Sequence, residues 1–486
     1  LSSSLSFSSL RQWLYLAIGI FVITSWFSTG FNQSDEHFQI SEFAGLKLGI
    51  NEVHDLAWEY EARMRPTLQP AMVVATHKLA GFFGSNNPFT IAWLLRLCSA
   101  FFTLGVSWLL YRVYATRFAE GHQRWAFFLF SFFLWFGIYN GVRFNSETWS
   151  ANTFALAVGL FTYWKSPNWR QYLVLGLLVG LSFVFRYQVA FMIAGFGLWL
   201  IFIQKERPQK LMAFILGGLA MVAIGTVVDR WFYGEWVFSP WHYFEQNILL
   251  DKASTFGVDP WWQYFYDTII KGIPPFGLLY LLAVGLFIWQ KPKDLLIWVT
   301  IPFVGIHLLI AHKELRFFYV LLPFLPIALS TALQWWEGRR QQPLWSALGY
   351  RIGWRFFWIH NALLTLFIMF WPIIMEMNIY RTVYDQYQEP IAIYGVQDHP
   401  YKAALYINYY KRQNLCVAEV SSLDKLPLYG NAPYLLAVDR REGYPIDSLP
   451  GHKTLIYSSF PDWIMPLNFN NWMSRSQWWL VYEVQP

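Results

Sequence analysis

Apolar runs recur along this chain, and the short loops between them alternate between strongly basic and not. About eleven runs can be drawn, with cores near residues 14–30, 90–111, 125–139, 148–164, 172–185, 189–203, 212–230, 273–290, 295–311, 317–336 and 356–375. Hydrocarbon offers no partner to a bare backbone N–H or C=O, so such a chain is confined to a bundle of transmembrane helices. Composition agrees: 14% of the 486 residues are charged and 56% are hydrophobic, where a soluble domain carries about 25% charged residues. Residues 68–83 are only moderately apolar and contain His77 and Lys78, which marks an interfacial or re-entrant helix. The run from Leu14 to Gly30 has no cleavage site after it and reads as an anchor.

The charges set an orientation. Arg11 precedes the first run, and one set of short loops carries Arg112, Arg117 and Arg124; Lys165 and Arg170; Lys205, Arg207 and Lys210; Lys291 and Lys293; and Arg339, Arg340, Arg351 and Arg355. By the positive-inside rule these loops are cytoplasmic. An odd number of spans then puts the N-terminus inside and the C-terminus outside, in a bacterial inner membrane or a eukaryotic ER membrane. The formal charge of +6 is accounted for by these loops, so it implies no nucleic-acid partner. Cys98 lies in an apolar run far from Cys416, which argues against a disulfide framework. After about residue 376 the polarity is mixed, with turn signals YGNAP and DRREGYP and strand-like stretches PYLLAV, TLIYSS and WWLVYEV. The expected organisation is an all-α membrane domain over 1–375 and a small α/β extracytoplasmic domain over 376–486. No internal repeat of the transporter kind is present.

The outward loops hold the residues that are costly near a membrane and are therefore candidates for chemistry. Residues 311–318, AHKELRFF, put His312, Lys313, Glu314 and Arg316 between two apolar runs. This is either a cluster facing an anionic lipid headgroup or a snorkelling turn closed by its own salt bridges. Asp35 and Glu36, in FNQSDEHFQISEF, suit a general base or a divalent cation; equally they suit a helix start with Ser34 as N-cap. His37 beside them has no metal-ligand spacing and reads as a polar helix-face residue. In GVRFNSETW, Asn145 and Glu147 either bind hydroxyls or cap a helix. Arg186 is either a second phosphate contact or half of a structural ion pair. Trp58 and Trp241 either stack on sugar or join the interfacial belt. No P-loop, GxGxxG or zinc spacing occurs. A reaction outside the membrane must then use a substrate available there, such as a sugar on a polyprenyl phosphate.

These motifs resemble those of the GT-C glycosyltransferases, specifically glycosyltransferase family 22. That family contains the GPI-anchor mannosyltransferases and the α-mannosyltransferases that extend lipid-linked oligosaccharides. SDEHFQISEFAGLKLG with AWEYEARMRPTLQP is similar to the family's first outer loop. VRFNSET is similar to its Arg…Asn…Glu segment at tighter spacing, HKELRF to its His-Lys-Glu-x-Arg-Phe signature, and DRWFYGEW through FEQN to its aromatic loop. The likeness runs over about residues 12–320. It implies an inverting mannosyltransferase using a polyprenyl-phosphate-linked donor and a lipid-linked or glycan acceptor, with no metal or other cofactor. By position, it implies Asp35 as general base and Glu36 orienting the acceptor or sharing that role. It implies His312, Lys313 and Arg316 at the donor phosphate, with Arg186 a lesser contact there. Trp58, Glu59, Arg65, Asn145 and Glu147 are expected at the substrate, Arg65 also as a lesser phosphate contact. The alternatives are a GT-C transferase for another lipid-phosphate sugar, a lipid-linked glycan transporter or flippase, and a non-enzymatic assembly subunit. Charges gathered on one face, rather than at mid-membrane, weigh against a transporter.

Overall fold

A computed structural model describes residues 7–118, 120–339, 348–426 and 432–485. Arg340 and the start of the YGNAP turn (residues 429–431) lie outside these residues. The chain forms two compact units.

The first unit comprises the described parts of Leu1–Ser28, Glu59–Met72 and Trp93–Trp371 and is helical. Each apolar run in it falls on helix. Among the described residues, five helices are long and apolar enough to cross a membrane: Leu10–Phe27, Pro88–Arg117, Pro208–Tyr233, Leu315–Glu337 and Leu348–Phe370. Four shorter apolar helices, of 10–17 residues, accompany them. Length and composition thus support fewer full crossings than the eleven apolar runs suggest.

Two runs are not regular α-helix throughout. The 317–336 run opens as a 3-10 segment, Leu315–Phe324, before α-helix Leu325–Glu337. Pro323 and Pro326 explain this, since neither can donate to the preceding turn. The 125–139 run breaks at Leu134 (φ −70°, ψ 123°) between helices Gly121–Phe133 and Trp135–Gly141. The freed backbone groups do not go unpaired. Asn361 Nδ2 donates to the Phe133 carbonyl, and Trp135 N–H donates to Asn361 Oδ1. A buried asparagine on Leu348–Phe370 therefore splices the break, as an apolar surrounding demands. Elsewhere small residues bring helices into contact. A Cβ on Gly176 would meet the Phe214 carbonyl at 2.0 Å, and one on Gly217 the Leu173 carbonyl at 2.3 Å. Helices Trp169–Phe185 and Pro208–Tyr233 can approach this closely only with glycine there.

The second unit gathers Thr29–Trp58, Val73–Ala92 and the described part of Pro372–Pro486. Its sheet has strands β1 (Ile391–Val396), β2 (Leu415–Val420), β3 (Tyr434–Asp439), β4 (His452–Ser458) and β5 (Trp479–Gln485) in the order β2-β1-β3-β5-β4. β1 runs parallel to β2 and β3, while β5 is antiparallel to β3 and β4. All three strand-like stretches of the tail are strands, and β3, buried at every position, is the centre of the sheet. Leu436, Val438 and Val484 form its core with Val396, Leu426 and Leu449.

His399, fully buried after β1, is a titration point in this unit. Its Nδ1 accepts from the Tyr401 N–H at 3.0 Å. Burial pushes the imidazole down to about 4. The folded value lies below the unfolded one, so the unfolded chain binds the extra proton. Stability present above about pH 6.5 is then lost as pH falls toward 4, by about 3 kcal/mol for this group. Urea unfolding of the second unit at pH 7 and pH 4.5 should show that loss, and His399→Gln should reduce it. An unchanged acid loss in the variant would reject the assignment.

Candidate active site

The helix Leu295–Leu309 ends where Ile310 turns extended (φ −68°, ψ 136°), and the HKELR knot follows at once. Lys313 is 7% exposed, and its ammonium is already occupied. Nζ donates to the carbonyls of Ile310 (2.6 Å), Asp259 (3.0 Å) and Ala311 (3.4 Å). Its own N–H donates to Asp259 Oδ2 at 3.1 Å, and Asp259 N–H to the Ala311 carbonyl at 3.0 Å. Burial lowers the Lys313 pKa and the Asp259 carboxylate partly restores it. Lys313 thus pins the loop around residue 259 against the knot.

Glu314 is the acceptor within the knot. It takes Arg316 Nη2 at 2.8 Å, lies 2.7 Å from Arg316 Nε, and takes His312 Nε2 at 3.1 Å. The internal contacts of a snorkelling turn are present, and Glu314 serves both Arg316 and His312. Because His312 Nε2 faces a carboxylate, Nδ1 carries a proton only in the imidazolium form. That Nδ1 is buried without a hydrogen-bond partner among the described residues.

Arg186 is brought to the same place. It ends helix Trp169–Phe185 in extended geometry (φ −153°, ψ 109°). Its Nη1 donates to Glu147 Oε1 at 2.8 Å and Ser146 Oγ at 3.1 Å, both at the start of helix Ser146–Trp164. Its Nε is a buried donor with no partner among the described residues. The guanidiniums of Arg186 and Arg316 lie 5.2 and 5.6 Å from the centre of the Phe317 ring. Asn145 is the N-cap of Ser146–Trp164, its Oδ1 accepting from the Thr148 N–H at 2.8 Å. Glu147 is therefore a partner of Arg186, and Asn145 a capping residue.

A line of aromatic contacts joins this cluster to Arg65. Arg65 Nη2 donates to Glu59 Oε1 at 3.3 Å, and its guanidinium lies 5.8 Å from the Tyr243 ring. Tyr243 meets Tyr187 edge to face at 5.5 Å, and Tyr187 follows Arg186 in the chain. The first unit thus brings together Glu59, Arg65, Asn145, Glu147, Arg186, His312, Lys313 and Arg316.

Asp35, Glu36 and Trp58 belong to the second unit. Asp35 and Glu36 open a four-residue helix, Ser34–His37, that runs into a π-helical turn, Phe38–Glu42. The cap position falls on Gln33 rather than Ser34, and no side chain caps it. Glu36 Oε2 instead accepts from the Asn32 N–H at 2.9 Å and closes the turn. Trp58 is 37% exposed. His37 is not a helix-face residue. It is 2% exposed, stacked between Phe31 and Tyr410, with Nε2 2.6 Å from Glu42 Oε1. Sequence reasoning notes Glu42 in the first outer loop but gives it no role; it is 1% exposed and also accepts from the N–H groups of Asn408 and Tyr409 and from Asn51 Nδ2. The available signal was a lone carboxylate between Ile40 and Phe43. Among the described residues, no group of three or more His, Cys, Asp or Glu side chains is placed to hold a metal ion.

The fold is shared with solved membrane proteins of the GT-C type. ArnT from Cupriavidus metallidurans bound to undecaprenyl phosphate superposes with a TM-score of 0.56 at 10% identity, covering 98% of each chain. Its apo state gives 0.54 at 12% identity, covering 97% of this chain and 98% of that one. The sequence profile of the Alg9-like mannosyltransferase family matches residues 13–420, and the chain belongs to that family. Its curated relatives include GPI alpha-1,2-mannosyltransferase 3 of Bos taurus, 26% identical over 60% of this chain and 53% of that protein. GPI mannosyltransferase 3 of Yarrowia lipolytica is 28% identical over 62% and 58%. The chain spans about half the length of the curated relatives it matches.

Proposed function

We propose that this chain is a membrane α-mannosyltransferase that moves mannose, with inversion, from a polyprenyl phosphate to a lipid-linked glycan on the extracytoplasmic side. In this reading the N-terminus is cytoplasmic and the tail after residue 376 extracytoplasmic. The observation that carries the donor class is the pair of guanidiniums, Arg186 and Arg316, over one aromatic ring, with Arg186 Nε and His312 Nδ1 buried and unpartnered beside them. A ligand phosphate would satisfy such donors. The ArnT neighbour bound to undecaprenyl phosphate supports the same donor class. The names of the curated relatives make a GPI-type glycan with an α-1,2 linkage the first acceptor to try.

The reaction is a single displacement. Asp35 takes the proton of the acceptor hydroxyl as its oxygen attacks the anomeric carbon. The bond from that carbon to the phosphate oxygen breaks, and the lipid phosphate leaves with the electron pair. Arg186, Arg316 and His312 meet the charge that grows on the leaving oxygen, where one well-placed donor commonly contributes about 3–4 kcal/mol. Lys313 holds the loop at Asp259 rather than the phosphate. Trp58, Glu36 and Glu59 are assigned to the acceptor side.

Purified protein incubated with dolichyl- or undecaprenyl-phosphate mannose, glucose and aminoarabinose, with products read by mass spectrometry, tests this. A mannosylated product from the mannose donor alone is expected. Arg186→Ala and Arg316→Ala should each lower kcat/KM for that donor by roughly 150- to 900-fold. Transfer from a different sugar donor, or no change in either variant, would reject the reading.

A further inference from the structure

The segment DRWFYGEW, residues 229–236, has no role in the reaction above, yet it makes a regular set of contacts. Asp229 and Tyr233 are four apart at the end of helix Pro208–Tyr233, on one face. Asp229 Oδ1 accepts from both the N–H (2.9 Å) and the hydroxyl (2.7 Å) of Thr67. Tyr233 donates its hydroxyl to the Arg65 carbonyl at 2.9 Å. Gly234, at φ +81°, ends the helix, and Glu235 just beyond it pairs with Arg63 at 2.6 Å. Every second residue of Arg63–Thr67 is therefore held by this one segment. Tyr60 adds ring contacts with Phe232 at 6.1 Å and Tyr233 at 5.6 Å.

Two features argue that this is more than packing. A carboxylate near the C-terminal end of a helix opposes the helix dipole, and Asp229, just before the last turn, is 4% exposed. Arg63 sits at φ +51°, a backbone state that a residue other than glycine rarely holds without outside support. Both are disfavoured locally and both serve the turn that carries Arg65. That turn sets where the Arg65 guanidinium stands, beside Glu59 and over Tyr243, in the aromatic line that leads through Tyr187 to Arg186.

We infer that Asp229 and Tyr233 are positioning residues, forming with Glu235 a clamp on Arg63–Thr67 that aims Arg65 at the anionic headgroup of the lipid donor. The inference rests on the donor class proposed above. It separates two jobs between two outer loops: the clamp at the start of the aromatic loop touches no substrate, and Arg65 in the first outer loop does.

The test combines two readouts on full-length protein, with dolichyl-phosphate mannose as the donor. Donor KM is measured for Tyr233→Phe, Arg65→Ala and the double variant, and hydrogen–deuterium exchange is followed over residues 60–67. Losing one hydrogen bond should raise KM about fivefold in Tyr233→Phe, with kcat held within twofold. Exchange over 60–67 should rise. The double variant should be no worse than Arg65→Ala alone, because Tyr233 acts through Arg65. Unchanged exchange in Tyr233→Phe overturns the clamp, and additive KM effects overturn Arg65 as its route. Raised exchange with a normal KM in Arg65→Ala keeps the clamp but overturns its aim at the donor, whereas no transfer from dolichyl-phosphate mannose by the parent protein is a failure of the functional reading instead. Asp229→Asn, which keeps the side-chain shape, gives a second variant for the exchange measurement.

Discussion

Asp35→Asn is expected to lower sugar transfer about a thousandfold while the protein stays folded. The amide copies the carboxylate's shape and cannot take a proton, so only the base step is removed. Asp35 is half-exposed in a four-residue helix, a setting in which an isosteric change costs little stability. Glu36 is the control. Its carboxylate closes the turn by accepting from the Asn32 N–H, and the amide oxygen of Glu36→Gln can accept the same bond. The Glu36 variant should lose less than tenfold. Turnover and thermal midpoint, measured on both purified variants, decide the matter. Near-normal turnover in Asp35→Asn removes it as the base, and a thousandfold loss in Glu36→Gln would move that role by one residue.

The helical architecture was legible because hydropathy reports it directly: each apolar run lies on helix. Hydropathy does not report how a run is divided. FFLWFG carries no proline, and its break at Leu134 depends on Asn361, which is 226 residues away in sequence from Trp135. The strands β3 to β5 were readable as short apolar stretches set among turn signals; β1 and β2 were not picked out, though they pair with each other along six residues. Among the site residues, sequence placed the charges but not their partners. Nothing in the spacing of HKELR says that Lys313 is consumed by three carbonyls while Glu314 serves both Arg316 and His312. Arg186 and Phe317 are likewise distant in the chain, and their contact is a product of helix packing. The role of Glu42 was the largest omission, since burial is a tertiary property and a single glutamate carries no mark of it.

Glu42→Ala should therefore produce the largest stability loss of any single substitution in the first outer loop. The carboxylate lies inside the second unit and accepts four donors: His37 Nε2 at 2.6 Å, Asn51 Nδ2 at 2.6 Å, and the N–H groups of Asn408 and Tyr409 at 2.9 and 3.1 Å. Alanine leaves all four buried without that partner, and removing one side of a buried charged network commonly costs about 3–5 kcal/mol. For a unit of this size the midpoint of unfolding should fall by roughly 10 °C. Glu42→Gln preserves the volume but turns an amide NH2 toward a donor, so it should lose part of that stability. The effect should be regional. The four donors come from both the loop that carries Asp35 and Glu36 and the tail segment around residue 408, so losing them loosens one against the other within the unit. Hydrogen–deuterium exchange should rise over residues 34–51 and 405–410 together, and turnover should fall even where the variant is still folded. A midpoint within 2 °C of the parent, or exchange rising in only one of the two segments, would show that Glu42 does not join them.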